Sequence, residues 1–219
     1  MEIPKNWTFE DKEVANAFDN HVRGQLPWYE LASGIVSHVV RHYLPTNGVI
    51  YDIGASTGNI GRGIKPILDA RSAELIEIEP AAEMHDTASY VGHQLIKEDA
   101  CKVNYQEFDV ATLFLVLMFI GVEERKLLLD ELYVNLKEGG ALIVFDKCVP
   151  AGGYVSTILS RLTLAGKMAS NVTPEDIIAK ELSISGVQRP IAVEELPGNP
   201  IEIFRFGDFA GWIIEKEIV

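Results

Sequence analysis

A glycine-rich turn and two acidic residues have the types and the spacing that an adenosine-binding site needs. The turn lies in the stretch VIYDIGASTGNIGRG, where Gly54 and Gly58 let a ligand approach the backbone at points where a Cβ atom would clash. Glu79 follows 21 residues after Gly58, the distance at which an acidic residue accepts hydrogen bonds from ribose hydroxyls. Asp99 follows a later apolar stretch, where a carboxylate can accept a hydrogen bond from the amino group of adenine. Together these features predict a site for an adenosine-containing ligand.

The turn alone leaves open S-adenosylmethionine, a dinucleotide, a phosphate group, or a tight turn without a ligand. Ser56 occupies the middle position, so the spacing GASTGNIG does not match G-x-G-x-x-G and comes closer to the short-chain dehydrogenase turn. That family also needs Tyr-x-x-x-Lys, which Tyr133 and Lys137 supply, and an upstream serine, which the stretch FLVLMFIGVEERKLLLDEL lacks. An NAD-dependent dehydrogenase is therefore the weaker prediction, and Tyr133 and Lys137 are interpreted as part of a packed helix.

These residues come together only if strands alternate with helices in one parallel sheet. The predicted strands lie in GVIYDIG, AELIEIE, HQLIKED, FDVATLFLVL and ALIVFDK, and IEIFRFGDFAGWIIEK predicts a closing hairpin. The stretches NIGRGIKPILDA, PAAEMHDTASYV and EERKLLLDELYVNLK are predicted to be helices. This alternation predicts an α/β fold, a Rossmann-like, seven-stranded, mostly parallel sheet with helices on both faces. Ligands of such sheets bind at the carboxyl ends of strands, where Asp52, Glu79 and Asp99 lie.

Two further helices precede the first strand. Apolar residues recur at helical spacing over residues 11–44, and Pro27 interrupts the pattern. We therefore expect a single domain over residues 1–219, made of an N-terminal helical cap (1–46) and a Rossmann-like core (47–219).

Glycines are predicted to end two other helices. Gly139 and Gly140 follow the stretch EERKLLLDELYVNLK and are expected to close its helix. Residues 153–185 are expected to be helical with a break at Gly166. In the helix predicted over EERKLLLDELYVNLK, the residues expected to face the core are Leu127, Leu128, Leu132 and Leu136.

The overall charge of the chain favours a small-molecule acceptor over a nucleic acid. The 219 residues carry a formal net charge of −13, and proteins that bind a nucleic-acid backbone usually present a basic face. Apolar residues make up 47% of the chain, yet none of its apolar runs reaches the roughly 18 residues of a membrane span. The start of the chain has no signal-peptide pattern, so we expect a cytoplasmic protein that binds neither nucleic acid nor membrane directly.

The sequence predicts no metal site. Cys101 and Cys148 are the only cysteines, and two cysteines form neither a disulfide framework nor a metal cluster. His38 and His42 have helical spacing in an apolar stretch and are interpreted as structural. Cys148 follows a predicted strand and is expected to be a small buried residue.

The stretch from Val49 to Lys147 resembles the class I S-adenosylmethionine-dependent methyltransferase superfamily. The first motif of that superfamily corresponds to DIGASTG, the second to IEIEPAAEM, the third to EDA and a later one to KEGGALIVFDK. The resemblance implies a transferase whose cofactor is S-adenosyl-L-methionine. This cofactor already carries an activated methyl group, so the enzyme mainly has to align donor and acceptor, and the pattern identifies no catalytic residue.

A more specific resemblance, to the carboxy-S-adenosylmethionine synthase family, covers most of the chain. It rests on NWTFEDKEVANAFDNHVRGQLPWYELASGIV, IYDIGASTG with its Ser56, EERKLLLDELYVNLKEGGALIV and FRFGDFAGWIIEK. The resemblance implies a homodimer that carboxylates the methyl group of S-adenosylmethionine with prephenate as the carboxyl source. The carboxylated cofactor of that family serves wobble-uridine modification in tRNA.

The resemblance also implies roles for particular residues. Tyr29 is expected near the methionine carboxylate, Glu79 at the ribose where that family has Asp, and Asp99 at adenine. The full predicted set of cofactor-binding residues is Tyr29, Asp52, Gly54, Ala55, Ser56, Gly58, Glu79, Pro80, Asp99, Ala100 and Phe114.

Two departures from the family pattern concern the acceptor side. The family has Asn where this chain has Phe114, and an arginine lent by the neighbouring subunit has no counterpart in VEELPGNPIEIF. The residues therefore leave open an ordinary small-molecule methyltransferase and, less favoured, a non-catalytic cofactor-binding module. An anionic acceptor needs cationic side chains, and Arg23, Lys147 and Arg189 are the candidates.

Overall fold

The computed structural model describes residues 7–149 and 152–217 as a seven-stranded sheet with helices packed on both faces. The strand order is β3-β2-β1-β4-β5-β7-β6, and β7 alone runs antiparallel to its neighbours. The strands are β1 Val49–Ile53, β2 Glu74–Ile78, β3 Gln94–Ile96, β4 Phe108–Phe114, β5 Leu136–Lys147, β6 Ile201–Phe206 and β7 Phe209–Glu215. The predicted mostly parallel, Rossmann-like sheet is confirmed.

The helices follow the predicted alternation, and two of them precede the sheet. They are α1 Lys12–Gln25, α2 Tyr29–Tyr43, α3 Asn59–Arg71, α4 Ala82–Thr87, α5 Val122–Asn135, α6 Tyr154–Ala169 and α7 Pro174–Ser183. Helix α1 begins at the Asp11 cap, whose carboxylate accepts the N–H groups of Glu13 and Val14. None of the helices described is long and apolar enough to cross a membrane.

The core has one apolar layer on each face of the sheet, because successive strand residues point to opposite faces. In β1, Ile50 packs with α2 and α3, whereas Tyr51 and Ile53 pack with α5 on the other face. All three side chains are buried. This two-sided burial explains why the central strands have near-continuous apolar runs.

Helix α5 is shorter than predicted, and its apolar stripe is shifted. It ends at Asn135 and β5 begins at Leu136, so Gly139 and Gly140 belong to the strand and do not close the helix. A Cβ atom on Gly140 would lie 2.5 Å from the Asp109 carbonyl oxygen, so the pairing of β5 with β4 requires this glycine. Leu127 is 69% exposed, and Leu129 takes its place in the core.

Gly166 lies inside α6 and does not break it. A Cβ atom there would lie 2.8 Å from the Phe206 ring, so the glycine lets α6 pack closely on the hairpin. The break between α6 and α7 comes later, where the Thr173 hydroxyl accepts the N–H of Asp176 at 3.1 Å and caps α7. Helix α4 is also shorter than predicted, because residues after Thr87 turn back to the glycine-rich turn, where the Tyr90 hydroxyl donates to the Ser56 carbonyl at 2.5 Å.

Candidate cofactor and acceptor cavity

A cavity of about 380 Å³ lies at the carboxyl ends of β1, β2, β4 and β5 and extends under α1 and α7. This volume is in the range of small-molecule sites in proteins. Its walls combine a polar end built by the turn after β1, an apolar middle, and a cationic end next to α6 and α7. One cavity thus joins two chemically different ends.

The turn after β1 brings its backbone into the cavity. Gly54 has φ +68°, and the backbone N–H of Ala55 donates to the Ile78 carbonyl at 2.9 Å, which fixes the turn against β2. A Cβ atom on Gly54 would lie 2.6 Å from the Val116 side chain. Glycine is therefore needed at this position for both its conformation and its close packing.

Asp52 is the second-last residue of β1 and presents a buried carboxylate to the cavity. Its Oδ1 atom accepts the Thr112 hydroxyl at 2.7 Å, and Oδ2 has no hydrogen-bond partner among the described residues. Burial raises the pKa of Asp52 to about 7, although the hydrogen bond from Thr112 opposes this shift. An unpartnered buried carboxylate oxygen in a cavity wall is suited to a ligand that carries a hydrogen-bond donor or a positive charge.

Glu79 follows β2 and links the cavity to the turn. Its carboxylate accepts the backbone N–H groups of Ser56 at 2.8 Å and Ala81 at 2.9 Å. The side chain is buried, and burial raises its pKa against the opposing effect of these two hydrogen bonds. Each carboxylate oxygen retains a second lone pair, so Glu79 can still accept hydrogen bonds from ligand hydroxyls.

The third acidic residue follows β3. Asp99 lines the cavity, and its Oδ1 atom accepts the N–H of Cys101 at 3.0 Å. Its Oδ2 atom lies 3.7 Å from the exposed Lys102 ammonium. Pro80 and Ala100 line the same end of the cavity.

Aromatic rings form the middle of the cavity. Tyr29 and Phe114 pack edge to face with centroids 5.3 Å apart, and Phe114 packs on Phe145 at 5.6 Å. Burial raises the pKa of Tyr29, so its hydroxyl keeps its proton at physiological pH. This wall offers apolar contact and the Tyr29 hydroxyl to a ligand.

The opposite end of the cavity contains three lysines and one carboxylate. Lys147 comes from the end of β5, Lys167 from α6, and Lys180 and Glu181 from α7. The Glu181 carboxylate lies 3.0 Å from the Lys167 ammonium and 3.8 Å from that of Lys147. Burial acts to raise the pKa of Glu181, but Lys147 and Lys167 outweigh it and lower this pKa.

Neutral polar groups surround this cationic end. Trp7 Nε1, His21 Nε2 and Gln25 Oε1 are buried and have no hydrogen-bond partner among the described residues. Burial, reinforced by Lys180, lowers the pKa of His21 to about 4, so the imidazole is neutral at physiological pH. The Trp7 and His21 rings stack with centroids 5.4 Å apart, and the Lys180 ammonium lies over the Trp7 ring.

The structure brings most of the predicted cofactor residues to this one cavity. All of them except Gly58 line it. Gly58 has φ +81° and precedes α3, and a Cβ atom there would face Ser89 and Tyr90, away from the cavity. Its role is to form the turn.

The structure places only one of the three predicted acceptor-side residues in the cavity. Lys147 lines the cavity, whereas Arg23 and Arg189 do not. The Arg23 guanidinium pairs with Glu30 and donates to Asn59 at 2.9 Å. Arg189 lies in the segment after α7, where its carbonyl oxygen accepts a hydrogen bond from Arg125 at 2.8 Å.

The other pairs singled out in the sequence lie outside the cavity. Tyr133 lies on α5, and Lys137 lies on β5, where its ammonium pairs with Asp109 at 3.0 Å. His38 and His42 are exposed on α2, and no group of side chains suited to a metal ion occurs in residues 7–149 and 152–217. Cys148 is buried, as expected.

Sequence reasoning missed Lys167, Lys180, His21 and Gln25. His21 and Gln25 are one helical turn apart on α1, a spacing that places them on the same face. Lys167 is only 6% exposed, and it lies in a helix of mixed composition whose inward face was not predicted. The positions of α6 and α7 over the sheet determine that these lysines meet, and no local pattern encodes this placement.

Comparisons with known proteins agree with this geometry. Residues 51–144 match the family described as a methyltransferase domain. The chain is 31% identical over 198 residues to the carboxy-S-adenosyl-L-methionine synthase of Staphylococcus epidermidis, covering 88% of this chain and 86% of that protein. It is 26% identical over 215 residues to the protein of the same name from Shewanella halifaxensis, with 94% and 88% covered.

Solved structures share the fold at low identity. A Methanococcus maripaludis protein assigned to the S-adenosyl-L-methionine-dependent methyltransferases superimposes with a TM-score of 0.57 at 16% identity, over 100% of this chain and 99% of that one. Human N-acetylserotonin methyltransferase, solved in complex with S-adenosylmethionine, superimposes with a TM-score of 0.57 at 15% identity, over 96% of this chain and 58% of that one.

Proposed function

Because this chain belongs to the branch of the S-adenosyl-L-methionine-dependent methyltransferase superfamily that contains the carboxy-S-adenosyl-L-methionine synthases, we propose that it transfers a carboxyl group to the methyl group of its cofactor. The chain is an S-adenosyl-L-methionine-dependent transferase that acts on a small molecule. The observation that carries the finer proposal is a single cavity with an acidic cofactor end and a cationic end.

The acidic end fits the adenosine part of the cofactor. We assign the ribose hydroxyls to Glu79, which keeps free lone pairs, and the adenine amino group to Asp99 next to Ala100. Pro80 and the turn residues Ala55 and Ser56 provide the surrounding contacts.

The methionine part fits the region between Asp52 and Tyr29. The unpartnered Oδ2 atom of Asp52 is suited to the positively charged amino group of the cofactor, and the Tyr29 hydroxyl is suited to its carboxylate. Phe114 contributes apolar contact near the sulfonium group. When bound, the cofactor supplies a methyl group activated by the adjacent sulfonium, and the protein residues orient it towards the cationic end.

The reaction is tested by incubating the purified protein with S-adenosylmethionine and prephenate and measuring the products by mass spectrometry. We expect a cofactor heavier by one carboxyl group in place of a hydrogen atom. The cofactor that copurifies with the protein is expected to include the same species. A reaction that yields S-adenosylhomocysteine, with no carboxylated cofactor, contradicts carboxyl transfer.

A small-molecule methyltransferase is the second candidate, and a specific observation favours it. Tyr29 and Phe114 form an aromatic wall of the cavity that Phe145 supports from behind, which suits an uncharged, planar acceptor. Formation of S-adenosylhomocysteine with an aromatic acceptor would support this alternative.

We also propose that the chain is one domain over residues 1–219 and forms a homodimer. The proposal is supported by exposed apolar side chains on α6 and α7, namely Tyr154, Val155, Ile158, Ile178 and Leu182. Light scattering after size-exclusion chromatography measures the mass. A monomer of 24.2 kDa at micromolar concentration contradicts the dimer.

The proposed cellular role follows from the family. We place the protein in the cytoplasm, where the carboxylated cofactor would serve tRNA wobble-uridine modification by another enzyme. The net charge of −13 supports a small-molecule reaction in which this chain does not bind tRNA itself. Loss of that modification in a strain lacking the gene, restored by the intact gene, tests this role.

A further inference from the structure

The cationic end of the cavity has more lysines than carboxylates, although the whole chain has a net charge of −13. Three ammonium groups, those of Lys147, Lys167 and Lys180, line this end. The carboxylates within ion-pair distance of them are Glu181 and Asp208, the latter 3.9 Å from Lys147. Two carboxylates therefore face three lysines in the described part of the chain.

Lys180 is the one of these three lysines without a carboxylate partner among the described residues. Glu181 pairs with the two other lysines, and no carboxylate of the described residues lies within ion-pair distance of Lys180. Burial, reinforced by the neighbouring Lys167, lowers the pKa of Lys180 to about 6. Burial thus disfavours the charged form of Lys180, which a bound anion would stabilise.

The groups around Lys180 add directional contacts for a ligand. Trp7 is 5% exposed, and its indole N–H has no acceptor among the described residues. The indole N–H is a donor only, and an anionic oxygen is a suitable acceptor for it. His21 and Gln25 offer further unpartnered polar atoms at the same end, which suit neutral polar groups of the ligand.

We propose that Lys180, together with Lys167 and Lys147, binds a carboxylate of the acidic co-substrate, and that Glu181 positions the two flanking lysines. The three lysines and Glu181 come from β5, α6 and α7 of the same chain. The statement that this site holds the carboxyl donor rests on the proposed function. The statement that the site binds a small organic acid is independent of that function.

The test measures the affinity of the protein for prephenate, phenylpyruvate and malonate. Each acid is titrated calorimetrically into protein that is saturated with the unreactive S-adenosylhomocysteine. We expect at least one acid to bind, and Lys180→Met to weaken it about tenfold or more through the lost charge-assisted hydrogen bond. Lys180→Arg should retain most of the affinity. Lys65→Met is the matched control, because Lys65 lies on the surface of α3 and pairs with Asp69.

Further readouts separate the site from an effect on folding. S-adenosylhomocysteine affinity should change less than twofold in Lys180→Met, and the acid affinity of the unmodified protein should fall with added salt. If Lys180→Met does not fold, Lys167→Gln serves in the same titration and should also weaken the acid. Failure of all three acids to bind, or equal binding to the two methionine variants, overturns the site.

The same variants distinguish this inference from the proposed function. If the unmodified protein makes carboxylated cofactor and Lys180→Met makes it with unchanged KM for prephenate, the carboxylate site is wrong and the function stands. If an acid binds through Lys180 but no carboxylated cofactor forms, the site stands and the function is wrong.

Discussion

The Glu79 carboxylate both shapes the glycine-rich turn and faces the proposed ribose position. It accepts the N–H groups of Ser56 and Ala81, so the same side chain that would bind the ligand also holds the backbone around it. Such a residue contributes to affinity directly and through the preorganised turn.

We predict that Glu79→Ala weakens S-adenosylmethionine binding by about 1–3 kcal/mol, since hydrogen bonds to a charged group are lost. Isothermal titration measures the change. Asp86→Ala, an exposed acid on the neighbouring α4, is the control and should bind normally. Unchanged affinity in Glu79→Ala would refute the ribose role.

Asp52 leads to a prediction about stability and pH. Its pKa is about 7 in the folded protein, whereas an ordinary aspartate titrates near 3.9. Between these pH values the folded state binds more protons, so this residue lowers stability as pH rises from about 4 to about 7.

Asp52→Asn removes this titration and keeps an oxygen acceptor for Thr112. The variant's free energy of unfolding, minus that of the unmodified protein, should be larger at pH 8 than at pH 5, by on the order of a few kcal/mol. Urea unfolding of both proteins at the two pH values measures the difference. A difference that does not change with pH contradicts the raised pKa.

At the scale of the elements, two helical glycines with different surroundings should respond oppositely to the same substitution. Gly166 in α6 faces the Phe206 ring, whereas Gly34 in α2 has no atom within 4 Å of the position of an added Cβ. We predict that Gly166→Ala destabilises the protein by about 1–3 kcal/mol through overpacking. Gly34→Ala should stabilise it by about 0.5–1 kcal/mol through helix propensity.

Urea unfolding of both glycine variants measures these changes. A gain in stability for Gly166→Ala would show that α6 does not pack on the hairpin as described.

The sheet was predictable because its strands are marked by apolar runs and its helices by periodicity. Asp52, Glu79 and Asp99 could be assigned to one edge, since the carboxyl ends of parallel strands meet there. The ends of helices were less predictable: the sequence predicts helix ends at Gly140 and Gly166, but both glycines are needed for close contacts with Asp109 and Phe206. The lysines of α6 and α7 were missed because only the packing of those helices turns them into the cavity.

At the scale of the whole molecule, ligands should stabilise the folded chain according to which end of the cavity they fill. A ligand at about 100 times its Kd adds about 2.7 kcal/mol. We predict that S-adenosylmethionine and S-adenosylhomocysteine raise Tm by several degrees, whereas NAD leaves it unchanged. A thermal shift with NAD alone would contradict the cofactor assignment.

The two ends of the cavity come from different stretches of the chain. The acidic cofactor end lies within residues 51–144, the part that matches the methyltransferase domain, whereas Trp7, Lys167 and Lys180 lie outside it. We therefore expect substitutions in the flanking helices to change binding of the acid more than binding of the adenosine part of the cofactor. We therefore expect relatives that share only this domain to share the cofactor, and relatives that also share the flanking helices to share the second substrate.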